Sequence, residues 1–493
     1  MEFITEIMLV KNNIFKMINP LKLIDFKTAH LPRAYVNSAI RFHHEFTIQE
    51  RLVAAKKAGW NVFQFPSEML KGGDLLSDSG TTTLTSEQIA AMFLGDEAYG
   101  SNYGYFKLLE AFEEVFGISS SENELYIFHQ CRAAEHALFT QIGKEGNKLK
   151  IPSNGHFDTT RANIECNGIS ALDLFSKELH SQKFTPFKGN MDVQALENLL
   201  KLDAKNVPLV YMTITNNTGG GQPVSMENIR AVRKLCDKFG KAFFLDACRF
   251  AENAWFIKNR ENSYKKKSIT AIIKELFALC DGFTISLKKD GLANMGGALL
   301  IKKKSPLVKK YPQLLNAIRD HQILTEGHPT YGGLTGRDIM TICEGLRTVV
   351  TEQYLDSRMK QVHSFGDYLN QKGIPVLTPF GGHAIYIDMD KFFAGTKMKR
   401  QDFGGIAFTG LLLLKGVRLC ELGVFAFGEN HPYNFVRAAI PRNKYEMEDL
   451  IYVGDCVHEL YKRRHLIPKA VPVYGKNLTL RHFKAKFELR NCR

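Results

Sequence analysis

The chain has little cysteine for its size: nine residues in 493, none of them in a Cys-x-x-Cys pair. An odd number of scattered thiols, from Cys131 to Cys492, suits a reducing compartment better than a disulfide framework. No His/Cys set has ligand spacing, so a structural zinc cluster is not expected. Long apolar runs are missing too. None approaches the roughly 20 residues needed to cross a bilayer, and the densest patch, Gly410-LLLL-Lys415, reads as a buried segment. The opening stretch MEFITEIMLVKNNIFKMINP carries two acids among its first residues and has no small-residue cleavage site. It does not read as a secretory signal, although Met8 and Met17 are alternative starts. A cytoplasmic protein without a membrane partner is therefore expected. Internal repeats and Pro/Ser/Gly linkers are also missing, which argues against independent beads on a string.

What is present is ordinary globular material, 44% apolar and 24% charged, enough for a sizeable core. The formal charge is 65 − 51 = +14. Such a balance raises nucleic acid as a partner. The basic runs Lys265-KK-Lys267, Lys302-KK-Lys304 and Lys462-RR-His465 are far apart, and no nucleic-acid-binding signature accompanies them. No nucleic-acid partner is expected.

The middle of the chain alternates short apolar runs with amphipathic stretches. Strands are expected at Leu125–His129, Lys148–Ser153, Val207–Thr215, Lys241–Asp246, Asp281–Ser286 and Gly297–Lys302. Between them lie helical patterns such as Ser225 to Gly240, where Ile229, Val232 and Leu235 share a face and Gly240 is the stop. This alternation predicts an α/β fold with a mostly parallel sheet covered on both sides. After about Met340 the texture becomes α+β: one long helix from Asp338 to about Lys372, then strands around 382–388, 416–420 and 435–440, then a helix from Glu446 to Lys462. The expected division is an N-terminal segment 1–84 contributing to a small domain, a large domain 85–340, and a C-terminal small-domain part 341–493.

Three strand ends carry chemistry. Asp246 closes the strand FFLD, where a buried carboxylate needs a cationic ring nitrogen, a metal or Arg249 as partner. Ser286-Leu-Lys-Lys289 follows another strand. A lysine beside a like charge loses its proton more easily and can attack an aldehyde, whereas two exposed turn lysines would have no such role. Gln130-Cys-Arg132 enters a helix, a place where free N–H groups and a guanidinium hold phosphate. Together they are the parts of a pyridoxal phosphate site: an imine-forming lysine, an acid for the ring nitrogen and a phosphate cup.

At this point the chain resembles the tryptophanase and tyrosine phenol-lyase family of pyridoxal-phosphate-dependent β-eliminating lyases. The likeness runs from about residue 50 through LLSDSGT (75–81), GDEAYGS (95–101), NNTGGGQPVSMENIRAVR (216–233), DACRFAENAWFIK (246–258), KKDGLANMGG (288–297), PTYGGLTGRD (329–338) and LRHFKAKF (480–487). It implies a fold-type-I architecture with a seven-stranded, mostly parallel sheet, and a homotetramer whose sites are completed by neighbouring subunits. It implies Lys289 as the imine lysine. Lys288, Ser286, Gln130, Cys131 and Arg132 would surround the phosphate, and Phe157 would stack on the ring. Asp246 would face the ring nitrogen, Asn217 the ring oxygen and Arg249 the ring side. Arg437 would grip the substrate carboxylate, with Ser79 nearby. Tyr99 would protonate the leaving group. Gly80, Glu97 and Asn294 would hold a potassium ion.

Three positions bear on the leaving group. The resemblance implies indole rather than phenol from Leu422, where phenol-lyases carry arginine, from Asp158 after the stacking Phe157, and from His482 in LRHF. Tryptophan to indole, pyruvate and ammonium is the expected reaction. Tyrosine, or another β-substituted amino acid with a sulfur leaving group, is the alternative. Departures from the family pattern gather at the same site: Cys131 in place of the usual glycine, Leu287, Cys248, and His328 in place of a larger apolar residue that lines the substrate pocket. A binding protein without chemistry would be expected to lose Lys289, Asp246 or Arg437, and all three are present.

Overall fold

The computed structural model describes residues 40–180 and 184–491. The opening stretch with Met8 and Met17 lies outside the described residues, as does Cys492. The described residues form one compact unit.

The six expected strands form where apolar runs meet helix punctuation, joined by a short one, Ser170–Asp173, that was not expected. They are β1 (Asn123–Phe128), β2 (Lys150–Ser153), β3 (Ser170–Asp173), β4 (Leu209–Thr213), β5 (Ala242–Asp246), β6 (Gly282–Ser286) and β7 (Gly297–Lys302). They make two ladders instead of one. The main sheet has five strands in the order β1-β7-β6-β5-β4, and β2 pairs in parallel only with β3. Strands β4, β5 and β6 are parallel, while β7 runs antiparallel to both β1 and β6. β2 lies beside β4 without a ladder. The Asn154 side chain bridges that gap, accepting from Thr213 N (2.7 Å) and donating to Thr213 O (2.9 Å). The seven-stranded expectation is thus corrected to a mixed five-stranded sheet with a two-stranded flank.

Side chains alternate across the main sheet. Phe243 and Leu245 enter one core and Ala242 and Phe244 the other. The helices that position the site are α1 (Cys131–Gly143), α2 (Asp158–Glu165), α3 (Met226–Lys238) and α4 (Phe250–Arg260). The α3 helix starts at Ser225, whose side chain accepts from Asn228 N.

The single helix expected from Asp338 to Lys372 is two: α5 (Gly336–Val349) and α6 (Glu352–Gln371). The break falls at Val350-Thr351, where Thr351 takes the extended conformation of a cap (φ −78°, ψ 136°). Beyond it, β8 (Ala384–Asp388), β9 (Cys420–Leu422) and β10 (Phe435–Ala439) form an antiparallel sheet in the order β9-β10-β8. This sheet packs with α6 and α7 (Met447–Lys462) on a second core, which Leu75 also enters. Gly73 and Asp74 pair with Val417 and Arg418, so the segment before residue 80 is stitched to the C-terminal half.

A buried charge network joins these parts. Arg442 meets Asp78 (2.9 Å), Glu252 (2.8 Å) and Asp290 (2.7 Å). Arg249 grips Asp78 with two hydrogen bonds of 3.0 and 2.7 Å, and Arg358 reaches Glu252 at 3.4 Å. All six side chains are almost fully buried. Burial opposes ionising Asp78, but Arg249, His383 and Arg442 outweigh it and hold its pKa well below the usual carboxylate range. Removing one partner would leave buried charge uncompensated. Arg442→Met is therefore expected to cost about 3–5 kcal/mol, read as a lower urea midpoint with the unfolding slope unchanged.

Candidate active site

A cavity of ≈ 240 Å³ opens at the C-terminal ends of β5 and β6. Sixteen of the positions singled out in the sequence line it: Ser79, Gln130, Cys131, Arg132, Phe157, Asp158, Asn217, Asp246, Cys248, Arg249, Ser286, Lys288, Lys289, Leu422, Arg437 and His482. They come from strand ends and helix starts far apart in the chain, as expected for an open α/β sheet.

One wall is built for an anion. The α1 helix begins at Cys131, and its cap residue Gln130 offers no side-chain hydrogen bond to the first turn. Its leading N–H groups are left for a ligand. Arg132, Ser286 and Lys288 stand beside them. The helix start packs tightly on β7: a Cβ at Gly297 would lie 2.3 Å from Cys131 N, so only glycine fits. Gly80 is equally constrained, with φ +72° and Lys288 Cε 2.6 Å from where its Cβ would be. Burial lowers the pKa of Lys288, and Arg132 and Lys289 lower it further.

The opposite charge sits deeper. Asp246 is buried and accepts a 3.3 Å hydrogen bond from Cys248 N. Arg249, the neighbouring cation that was one candidate partner, is instead committed to Asp78. Among the described residues no cation pairs with Asp246, so its carboxylate is left for a positive group in the cavity. Lys289 lies on the same wall, with its Nζ 5.9 Å from the centre of the Phe157 ring. Burial pulls its pKa down, but Cys248, Asp246 and Asp78 more than offset this, and the net shift is upward. The deprotonating effect expected from the lysine pair therefore falls on Lys288, not on Lys289, in the protein alone.

The outer wall is formed by the C-terminal half. Arg437 donates to Leu76 O (2.9 Å) and to Asn217 Oδ1 (3.2 Å), while its Nε is buried without a partner. Asn217 Oδ1 also accepts from Tyr386 OH (2.6 Å). Arg437 is thus a buried guanidinium without a carboxylate. His482 Nε2 lies 2.9 Å from Asp158 Oδ2, off the line of a hydrogen bond, while Asp158 Oδ1 accepts from Thr159 N at 2.6 Å. Asp158 is therefore both the first residue of α2 and a cavity group. Leu422 is buried on β9 and presents no polar group there.

Five expected residues lie outside this cavity. Tyr99 is 73% exposed and packs against His328 and Tyr331, with ring centres 5.6 and 5.7 Å away. His328 Nδ1 is 2.8 Å from Thr330 Oγ1. Gly80 O accepts from Asn294 Nδ2 (3.2 Å). Glu97 is paired with Arg337 (3.1 Å) and accepts from Gly336 N (3.1 Å).

The cavity also contains groups that sequence reasoning missed. Glu135 is buried on α1, accepts from Thr160 Oγ1 (2.7 Å), and has its pKa pushed up to about 8 by burial, with the charge of Asp246 adding to the effect. Its only signal was a lone acid within CRAAEHALF. Asp78 was visible inside LLSDSGT, but its two arginine partners were not.

The pattern described as beta-eliminating lyase matches residues 74–447. The chain belongs to the β-eliminating lyase family. It is 40% identical to a tryptophanase of Hyphomonas neptunium over 451 residues, 90% of this chain and 95% of that one. It is 38% identical to a tyrosine phenol-lyase of Symbiobacterium thermophilum over 455 residues, 90% and 95% of the two chains. Among solved structures, a serine palmitoyltransferase of Sphingomonas wittichii aligns with a TM-score of 0.53 at 12% identity, covering 80% of this chain and 87% of that one, a likeness of fold alone. This lyase is a pyridoxal-phosphate-dependent enzyme of fold type I that acts by β-elimination on an amino acid. The residues present fit the cofactor: an open helix start for its phosphate, unpaired Asp246 for its ring nitrogen, and Lys289 for its aldehyde.

Glu135 gives a pH test on the cofactor-free protein. Its pKa is raised on folding, so the folded state binds more protons than the unfolded one between the ordinary carboxylate range and about 8. Its contribution to stability is therefore lost as pH rises through that window. Glu135→Gln should flatten that part of a denaturation-versus-pH curve, and an unchanged slope would show that Glu135 ionises normally.

Proposed function

We propose that this lyase cleaves L-tryptophan to indole, pyruvate and ammonium. The observation that carries the reading is the outer wall, where Asp158 and His482 meet at 2.9 Å beside apolar Leu422. A phenolic oxygen would find no guanidinium at Leu422, whereas an indole ring suits that apolar wall with a polar pair at its edge.

Arg437, with its free Nε, orients the substrate carboxylate through charge-assisted hydrogen bonds. Asn217 and Leu76 O hold that guanidinium in place. Lys289 receives the Cα proton, and Phe157 limits movement above the site. Pyridoxal phosphate, when bound, supplies the electron sink for that proton's removal. Asp158 and His482, 2.9 Å apart, serve as the polar pair at the edge of the leaving ring.

Tyr99 is the proposed leaving-group acid, and His328 its neighbour in the substrate pocket of a second copy. Exposed Tyr99 supports a shared site in a homotetramer, as do exposed Ile89, Phe93, Tyr103 and Phe106 on two neighbouring helices that pack on α5. Potassium, held by Gly80, Asn294 and Glu97, belongs to the same proposal and requires Glu97 to exchange Arg337 for the ion. So do the domain boundaries near 85 and 340 and a cytoplasmic location. No helix among the described residues is long and apolar enough to cross a membrane.

The test is a screen of amino acids for pyruvate release, with indole and phenol measured in parallel. Tryptophan should give equal indole and pyruvate, and Lys289→Ala should abolish both. His482→Ala should slow indole release by about 10²-fold and affect an S-alkylcysteine far less, because a thiolate leaves without protonation at carbon. Phenol from tyrosine as fast as indole from tryptophan would overturn the reading. Pyruvate only from sulfur substrates would favour the thiolate alternative.

A further inference from the structure

Cys131 and Cys248 stand on facing walls of the cavity with their sulfurs 3.9 Å apart. Both are buried, and one begins α1 while the other follows β5 two residues after Asp246. We propose that these two thiols are a disulfide-forming site, oxidised by hydrogen peroxide when the cavity is empty of cofactor, and that the disulfide closes the cofactor cradle.

A disulfide has an S–S distance of about 2.05 Å, so the sulfurs must approach by roughly 2 Å. Rotation about the two Cα–Cβ bonds supplies part of this, and the rest draws the start of α1 toward the turn after Asp246. Those two places hold the phosphate wall and the carboxylate that the cofactor needs. The roles of the two sulfurs differ. Ser286 N donates to Cys248 Sγ (3.2 Å), which favours negative charge on that sulfur. Cys131 is held as a thiol, its pKa pushed well above the ordinary value by the Cys248 contact and by burial. Cys248 is therefore the sulfur that attacks the peroxide: an S–O bond forms, the O–O bond breaks, and one water leaves. Cys131 then displaces hydroxide from that sulfenic acid, its proton completing a second water, and the S–S bond forms. Two thiols are oxidised and one peroxide is reduced to two waters. Cofactor held in this cavity would cover both sulfurs, which line it.

The chemistry of the pair is independent of the lyase reading, and only its consequence for cofactor uptake rests on that reading. The test treats full-length protein, with and without pyridoxal phosphate, with hydrogen peroxide, then alkylates it in denaturant and maps the peptides by mass. Exposed Cys166 is the internal control for oxidant delivery. The expected result is a Cys131–Cys248 linked peptide, two hydrogens lighter than the reduced pair, reversed by dithiothreitol and formed at least tenfold faster without cofactor. Cofactor uptake, followed by its visible absorbance, should fall several-fold after oxidation and return on reduction. Cys131→Ser and Cys248→Ser should each abolish the linked peptide, and uptake by Cys248→Ser, which lacks the attacking sulfur, should be the same before and after peroxide. Oxidation of Cys166 with Cys131 and Cys248 still reduced would overturn the disulfide. A linked peptide with unimpaired uptake would overturn the closure. Failure of the untreated protein to take up pyridoxal phosphate would count against the lyase reading and leave the peptide result standing.

Discussion

The site depends on one buried guanidinium. Arg442 touches three carboxylates from three distant segments: Asp78 before the large sheet, Glu252 on α4, and Asp290 immediately after Lys289. Asp290 also caps α4, accepting from Ala251 and Glu252 N–H groups. The lysine therefore inherits its position from a network in which every member is buried. Arg249 uses the same Asp78, and so it cannot neutralise Asp246 three residues earlier. A structural pairing in one place is what keeps a functional charge unpaired in another.

That division leaves the cavity with unmatched charges of both signs. Asp246 lacks a cation, Arg437 lacks an anion at Nε, and the start of α1 lacks a cap. In a low-dielectric interior each lack is costly until something fills it. Together they describe a molecule with a phosphate and a basic ring nitrogen, and a second with a carboxylate. Fold alone would not have said this, since the serine palmitoyltransferase of similar architecture is named for other chemistry.

Much of this was legible in the sequence where the signal is local. Strands β4 to β7 are apolar runs ended by turn residues, and Asp246, Lys289 and Arg132 sit at strand or helix ends. The break between α5 and α6 was not legible, because Val350-Thr351 contains neither Gly nor Pro and the apolar period continues across it. Strand β3 is four residues, too short to show alternation. The split of the sheet depends on Asn154 filling a gap, a contact with no periodic signature. Charges were readable as residues but not as pairs. Arg249 looked like a neighbour for Asp246 until Asp78 claimed it, and the upward shift of Lys289 follows from acids that the chain order does not place beside it.

The contact between Asp158 and His482 has a consequence for how the protein is made. The groups that receive the cofactor lie between Gln130 and Lys289, while Leu422, Arg437 and His482 come much later in the chain. During synthesis the phosphate wall and Lys289 are therefore made first and the outer wall last. Leu422, His482 and Phe483 belong to segments that join the cavity only after every residue of its inner wall has been made.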